Sequence, residues 1–154
     1  MNTSELPFLS AGDLSRLIQS KEVSPVEVTE AYLDRIISLD HRFNSYLTVM
    51  REQALVDAQQ AEEDIASGQH KGPMHGVPVA VKDQFWSRGV RSTGGSRILA
   101  NFVPDEDATV IANLRKAGAV VLGKTNMTEF AYSGLGLNRH YDTPRNPWDR
   151  QKER

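Results

Sequence analysis

Two short apolar runs, Val77 to Val81 and Ala119 to Leu122, bracket an amphipathic stretch from Asp107 to Ala117 that is closed by Gly118. Neither run alternates polar with apolar residues, which is the pattern of a strand covered on both faces. A strand, a crossover containing a helix, and a second strand make a βαβ unit, whose strands belong to a parallel or mixed sheet flanked by helices. The expected fold class is therefore α/β.

The residues before this unit read as helices. Ser10 followed by Asp13 marks a helix start, and Leu14, Leu17 and Ile18 then share one face. Ser24-Pro25-Val26-Glu27 is a stronger start: a capping serine, proline at the first helical position and glutamate placed to complete a capping box. That helix is expected to reach about Leu39. Tyr46 to Val49 reads as a brief extended piece, and Ala54, Leu55, Ala58, Ala61 and Ile65 mark a third helix stopping near Gly68. From Gly68 to Gly76 the chain is rich in glycine, proline and histidine and has no periodicity. The expected organisation is an N-terminal helical segment at 1–68, a partial α/β core at 69–149 and a divergent tail at 150–154.

Composition narrows the chemistry. The 154 residues are 39% hydrophobic and 25% charged, as in ordinary globular domains. A net charge of -2 without a dense basic run argues against direct nucleic-acid binding. The absence of cysteine excludes disulfides, a thiol nucleophile and thiolate zinc sites, and the histidines at 41, 70, 75 and 140 lack metal-ligand spacing, so no metal is expected. His75, in the turn entering the first core strand, reads as a hydrogen-bonded structural histidine. No apolar run approaches the roughly 20 residues of a membrane span, and the first residues lack the pattern of a signal peptide. A cytoplasmic location is expected.

Lys82 is the leading candidate for chemistry. A lysine at the mouth of an apolar strand can be desolvated, which lowers its pKa and suits it to accept a proton; the plain alternative is a strand-end lysine reaching into solvent. Gly118 to Thr125 formally fits the phosphate-loop pattern G-x-x-x-x-G-K-T. Its four intervening residues are apolar and a helix precedes them, so it is expected to be a strand, with Lys124 in no nucleotide-binding role.

The runs His75-Gly76-Val77-Pro78-Val79-Ala80-Val81-Lys82-Asp83, Gly123-Lys124-Thr125-Asn126-Met127-Thr128-Glu129-Phe130-Ala131 and Arg145-Asn146-Pro147-Trp148-Asp149 occur in an order and spacing that resemble the amidase signature family. The resemblance is close from Gly72 to Arg150. It implies that Lys82 is the lysine of a Ser-cisSer-Lys triad, deprotonating a bridging serine that activates a nucleophilic serine. The family's glycine- and serine-rich segment, which carries both serines, has no match in this sequence. Ser87, Ser92, Ser96 and Ser133 sit in no such turn and read as polar residues of turns and caps. The resemblance further implies that Tyr132 lines the acyl-binding pocket, that no cofactor is needed, and that the complete enzyme takes a small-molecule amide, with a homo-oligomer among the arrangements open to it. This chain alone is expected to be inactive. The alternatives are the A subunit of a glutamine-dependent tRNA amidotransferase and a non-catalytic truncated product or interaction domain; Thr128 to Gly134 looks more like a general amidase. Asp142 stands where the family commonly has glycine, which would strain a turn requiring positive φ.

Overall fold

The computed structural model describes residues 3–148, so the tail expected at 150–154 lies outside the described residues. Both predicted capped helix starts are present. Ser10 Oγ accepts a hydrogen bond from the Asp13 amide at the head of α1 (Ala11–Gln19). Ser24 Oγ accepts from the Glu27 amide at the head of α2 (Pro25–Phe43) while the Glu27 carboxylate accepts from the Ser24 amide, so two otherwise orphaned donors are satisfied reciprocally. α2 continues past the expected end at Leu39 because polar groups hold its last turn. Asn44 takes the left-handed conformation at φ 52°, and the Asp40 carboxylate accepts from the amides of Ser45 and Tyr46, delivering the chain into an extended course.

The remaining α-helices and strands are β1 (Tyr46–Val49), α3 (Arg51–Ala66), β2 (Pro78–Lys82), α4 (Thr109–Lys116) and β3 (Val120–Thr125), with short 3-10 turns at Thr3–Phe8 and Glu129–Ala131. β3 is the central strand, parallel to β2 and antiparallel to β1, which makes the sheet mixed. β1 comes from the N-terminal side of the Gly68–Gly76 connection, so the sheet draws strands from both sides of it. Among the described residues no helix is long and apolar enough to cross a membrane.

Alternation along β3 sends its side chains into two cores. Val120 and Leu122 pack with Leu33 of α2 and with Ala54 and Ala58 of α3, whose small side chains let the helix approach the sheet. Val121 points the other way, to Met50, Val81 and Ile111 of α4. A third cluster joins Leu6, Leu14, Ile18, Val23, Val28, Ile65 and Val77 where the N-terminal helices meet the entry to β2. Full burial of each such aliphatic side chain contributes about 1.5–3 kcal/mol. The expectation of strands covered on both faces holds for β3, which is buried from Val120 through Lys124. It fails for β2, where Ala80 and Lys82 are exposed. The helical layer of α2 and α3 covers Val120 and Leu122 but leaves that end of the edge strand open.

Register in the sheet is not uniform. Val79 pairs with Val121, yet Ala80 pairs with Gly123, so β3 carries one extra residue at Leu122. A Cβ on Gly123 would lie 2.4 Å from the Thr48 carbonyl oxygen of β1, and the bulge therefore needs glycine there.

His75 occupies the corner between β2 and α4, as the structural reading anticipated. Its side chain is fully buried, Nδ1 accepts a 3.1 Å hydrogen bond from the Lys71 amide, and Nε2 lies 3.7 Å from Asp64 without a hydrogen-bond partner. The ring rests on Gly118, which has φ 76° and where a Cβ would stand 2.2 Å from His75 Cδ2. Gly118→Ala is expected to cost about 3 kcal/mol or more, combining a backbone forced into a left-handed conformation with overpacking, as read from denaturant unfolding. Burial pushes the His75 pKa below its ordinary value and Lys71 adds to the effect, while Asp64 opposes it. The unfolded chain therefore takes up this proton first on acidification. His75's contribution to stability is complete above the unfolded value, about 6.5, and is lost as pH falls from there towards the lower folded pKa. Unfolding free energy followed from about pH 7 to about pH 5 should decline in the native chain and decline less in His75→Gln. Asp64 and Glu129, both held below their usual carboxylate range, act only in stronger acid.

Candidate active site

Successive residues of an extended chain point to opposite sides, and at the end of β2 this separates Lys82 from Asp83. Lys82 is exposed, and its ammonium has no hydrogen-bond or ion-pair partner among the described residues. Asp83 turns into the core. Its Oδ2 accepts hydrogen bonds from the Thr93 amide at 2.8 Å and the Thr93 hydroxyl at 2.5 Å. Its Oδ1 lies 3.4 Å from Lys124 Nζ, in an ion pair whose two side chains are both fully buried.

Lys124 completes this arrangement. Its Nζ donates to the Phe85 carbonyl and to Ser92 Oγ, each at 2.7 Å. The Asp83 carboxylate adds an ion pair to these two hydrogen bonds, its Oδ1 itself having no hydrogen-bond partner. Burial lowers the Lys124 pKa from the usual lysine value, and the Asp83 carboxylate works against that shift. The desolvated lysine is thus Lys124, whereas the sequence pointed to Lys82. The cause is the extra residue at Leu122: strict alternation would put Lys124 on the face of Leu122, but with the bulge it pairs with Val81 and points to the opposite side. The phosphate-loop look-alike is β3, as expected.

The serines occupy structural positions. Ser92 and Lys124 are the residue types of a nucleophile and its base, but both are buried and the Ser92 hydroxyl donates to the Val90 carbonyl. Ser87 Oγ donates to the Phe85 carbonyl, Ser96 Oγ donates to Glu129 at 2.6 Å, and Ser133 Oγ accepts from the Leu135 amide.

A polar framework ties the 92–96 turn to the segment after β3. Asn138, which no sequence motif singled out, is buried; its Nδ2 donates to the carbonyls of Gly95 and Met127, and its Oδ1 accepts from the amides of His140 and Tyr141. Glu129 bridges Ser96 and His140, and Phe130 and Ala131 follow at φ 49° and 55°. That pair of left-handed residues turns Tyr132 outward, leaving it 96% exposed and without a hydrogen bond to Lys82. Asp142 has φ 60°, the conformation for which glycine was expected, and its carbonyl accepts from Asn126. Among the described residues no group of three histidine, aspartate or glutamate side chains is placed to hold a metal ion.

Among known proteins, the family model described as Amidase matches residues 27–153. The A subunit of glutamyl-tRNA(Gln) amidotransferase from Carboxydothermus hydrogenoformans is 45% identical over 148 residues, 96% of this chain and 30% of that protein. The protein of the same name from Geobacter sp. strain M21 is 48% identical over 145 residues, again 30% of its length. Of the solved structures, a peptide amidase in complex with the competitive inhibitor chymostatin has a TM-score of 0.83 at 32% identity, covering 91% of this chain and 30% of that one. A vestigial protein complex bearing on the origins of an s-triazine catabolic enzyme has a TM-score of 0.88 at 34% identity, covering 92% and 31%. The chain spans about 30% of the length of the curated relatives it matches.

The two lysines should respond oppositely to truncation. Lys124→Ala and Asp83→Ala each leave an unpaired buried charge and are expected to cost about 3–5 kcal/mol in equilibrium unfolding. Lys82→Ala should stay within about 0.5 kcal/mol of the native chain.

Proposed function

The chain belongs to the amidase family, and from that premise we propose that it carries the lysine half of an amide-hydrolysing site, with Lys82 as the general base. The observation that carries this reading is the contrast at the end of β2: Lys82 stands on the open side of the sheet with its ammonium unengaged, next in sequence to Asp83, which is buried and held by Thr93 and by its ion pair with Lys124. The place of Lys82 at the end of β2 within the family's matched region supports the reading, since an exposed lysine by itself fits a strand-end residue reaching into solvent equally well.

In the proposed reaction the neutral Lys82 amine takes a proton from a bridging serine, which in turn takes the proton of a nucleophilic serine. The serine oxygen attacks the amide carbonyl, the carbon–nitrogen bond breaks as the nitrogen leaves with a proton, and water then hydrolyses the ester. The serines inside residues 3–148 described above are engaged elsewhere, so the two catalytic serines belong to polypeptide corresponding to the unmatched part of the relatives. Covering by that polypeptide would take Lys82 out of solvent and bring it against the serines. Every proton is handled by side chains, so no cofactor is required. The substrate class is a small carboxylic amide, with Tyr132 proposed to line the acyl pocket once the open side is covered.

A second reading has its own support. The curated relatives at 44–50% identity are named as A subunits of glutamyl-tRNA(Gln) amidotransferase, and under that reading the amide would be that of glutamine and the released ammonia would pass on to a partner protein. Ammonia release from glutamine, compared with hydrolysis of aryl and aliphatic amides, separates the two.

In a protein that unites this chain with the serine-bearing polypeptide, Lys82→Ala should lower kcat by about 10²–10⁴-fold with a much smaller change in KM, because the proton transfer belongs to the transition state. Residues 1–154 alone should give no hydrolysis above background in the same assay. Unchanged turnover in the Lys82 variant would remove lysine from the mechanism.

A further inference from the structure

We infer that Asp83 and Lys124 are positioning residues for Lys82, acting through the main chain of the turn that follows it; the inference rests on the lysine-base reading above. The hydrogen bonds of the buried pair converge on the residues next to the base. The Asp83 amide donates to the Thr125 carbonyl at 3.2 Å, and the Phe85 amide donates to the Lys82 carbonyl at 3.0 Å. The Phe85 carbonyl in turn accepts from Lys124 Nζ, and the Asp83 carboxylate is held by Thr93 and Lys124. Lys82 is thereby fixed at its own carbonyl, at the next residue's amide and side chain, and at the carbonyl three residues on.

Burial energy alone does not explain a charged pair in this place. Val79, Val81 and Val121 make the same side of the sheet apolar, and an ion pair in such surroundings is often no more stabilising than well-packed apolar residues. What the pair supplies is direction. Asp83 can reach Thr93 and Lys124 only from the core side, and because neighbouring residues alternate, that commits the Lys82 side chain to the open side. Lys124 reaches its acceptors only because of the bulge at Leu122, so the bulge, the pair and the aim of Lys82 form one device.

The test uses the full chain with Asp83→Asn and Lys124→Met. The first readout is the ¹³Cε signal of Lys82, assigned by its loss in Lys82→Arg. The second is hydrogen exchange at the amides of positions 83 and 85 compared with that of α2. Positioning requires the Lys82 signal to shift or split in both variants, and exchange at 83 and 85 to rise at least about 10-fold more than in α2. An unchanged Lys82 signal, with protection lost equally everywhere, would reduce the pair to a structural element and overturn the inference. Where the charge variants do not fold, Thr93→Val removes one hydrogen bond to Asp83 without removing a charge and is judged by the same two readouts. Failure of the lysine-base reading looks different: the Lys82 signal responds to Asp83→Asn, yet Lys82→Ala leaves amide hydrolysis intact in the serine-containing protein.

Discussion

One extra residue in β3, at Leu122, sets the direction of everything at that end of the sheet. Without it Lys124 would point with Leu122 towards the apolar cluster of Leu33, Ala54 and Ala58. An unpaired ammonium there would cost several kcal/mol. With it, Lys124 finds Asp83, Ser92 and the Phe85 carbonyl, and the turn after β2 closes over them. The bulge depends in turn on Gly123, because β1 runs too close for any side chain at that position. A glycine in one strand thus bears on the conformation of a turn in another.

The two sides of the sheet differ in how completely their polar groups are satisfied. On the side of Lys124, hydrogen bonds from Ser96 to Glu129, from Asn138 to the Gly95 carbonyl and from Tyr141 to the Ser96 carbonyl join the 83–96 region to the segment that follows β3. The strained conformations at Phe130, Ala131 and Asp142 lie inside this framework, which supplies the contacts that hold them. Lys82, Ala80 and Tyr132 are exposed instead. The residues proposed for chemistry therefore stand on surface left open by this chain, adjoining a framework it completes, in a family whose curated relatives are about three times as long.

His75 illustrates how a residue inside a family motif can serve the fold. Its ring fills the space that a side chain at position 118 would need, and the Gly76 amide donates to the Gly118 carbonyl, so the entry to β2 and the exit of α4 are fastened together. This places the ends of β2 and β3 side by side, which the parallel pairing of Lys82 with Thr125 requires. Burial disfavours the charged form of the imidazole, suiting it to packing.

The sequence by itself determined the local elements and the family. Capping boxes, apolar periodicity and glycine stops act within a few residues, so Ser24, Gly118 and the run ending at Lys82 could be read directly, and the order of motifs identified the amidase signature. Even Asp142 was legible, because a family glycine marks a required φ. Tertiary structure alone decided which lysine is buried and which side of β2 is open. Those outcomes depend on strand register and on acceptors 32 and 39 residues away from Lys124 in the chain. An irregularity of one residue in a pairing between distant strands reverses the facing of every side chain beyond it, and no local pattern records that reversal.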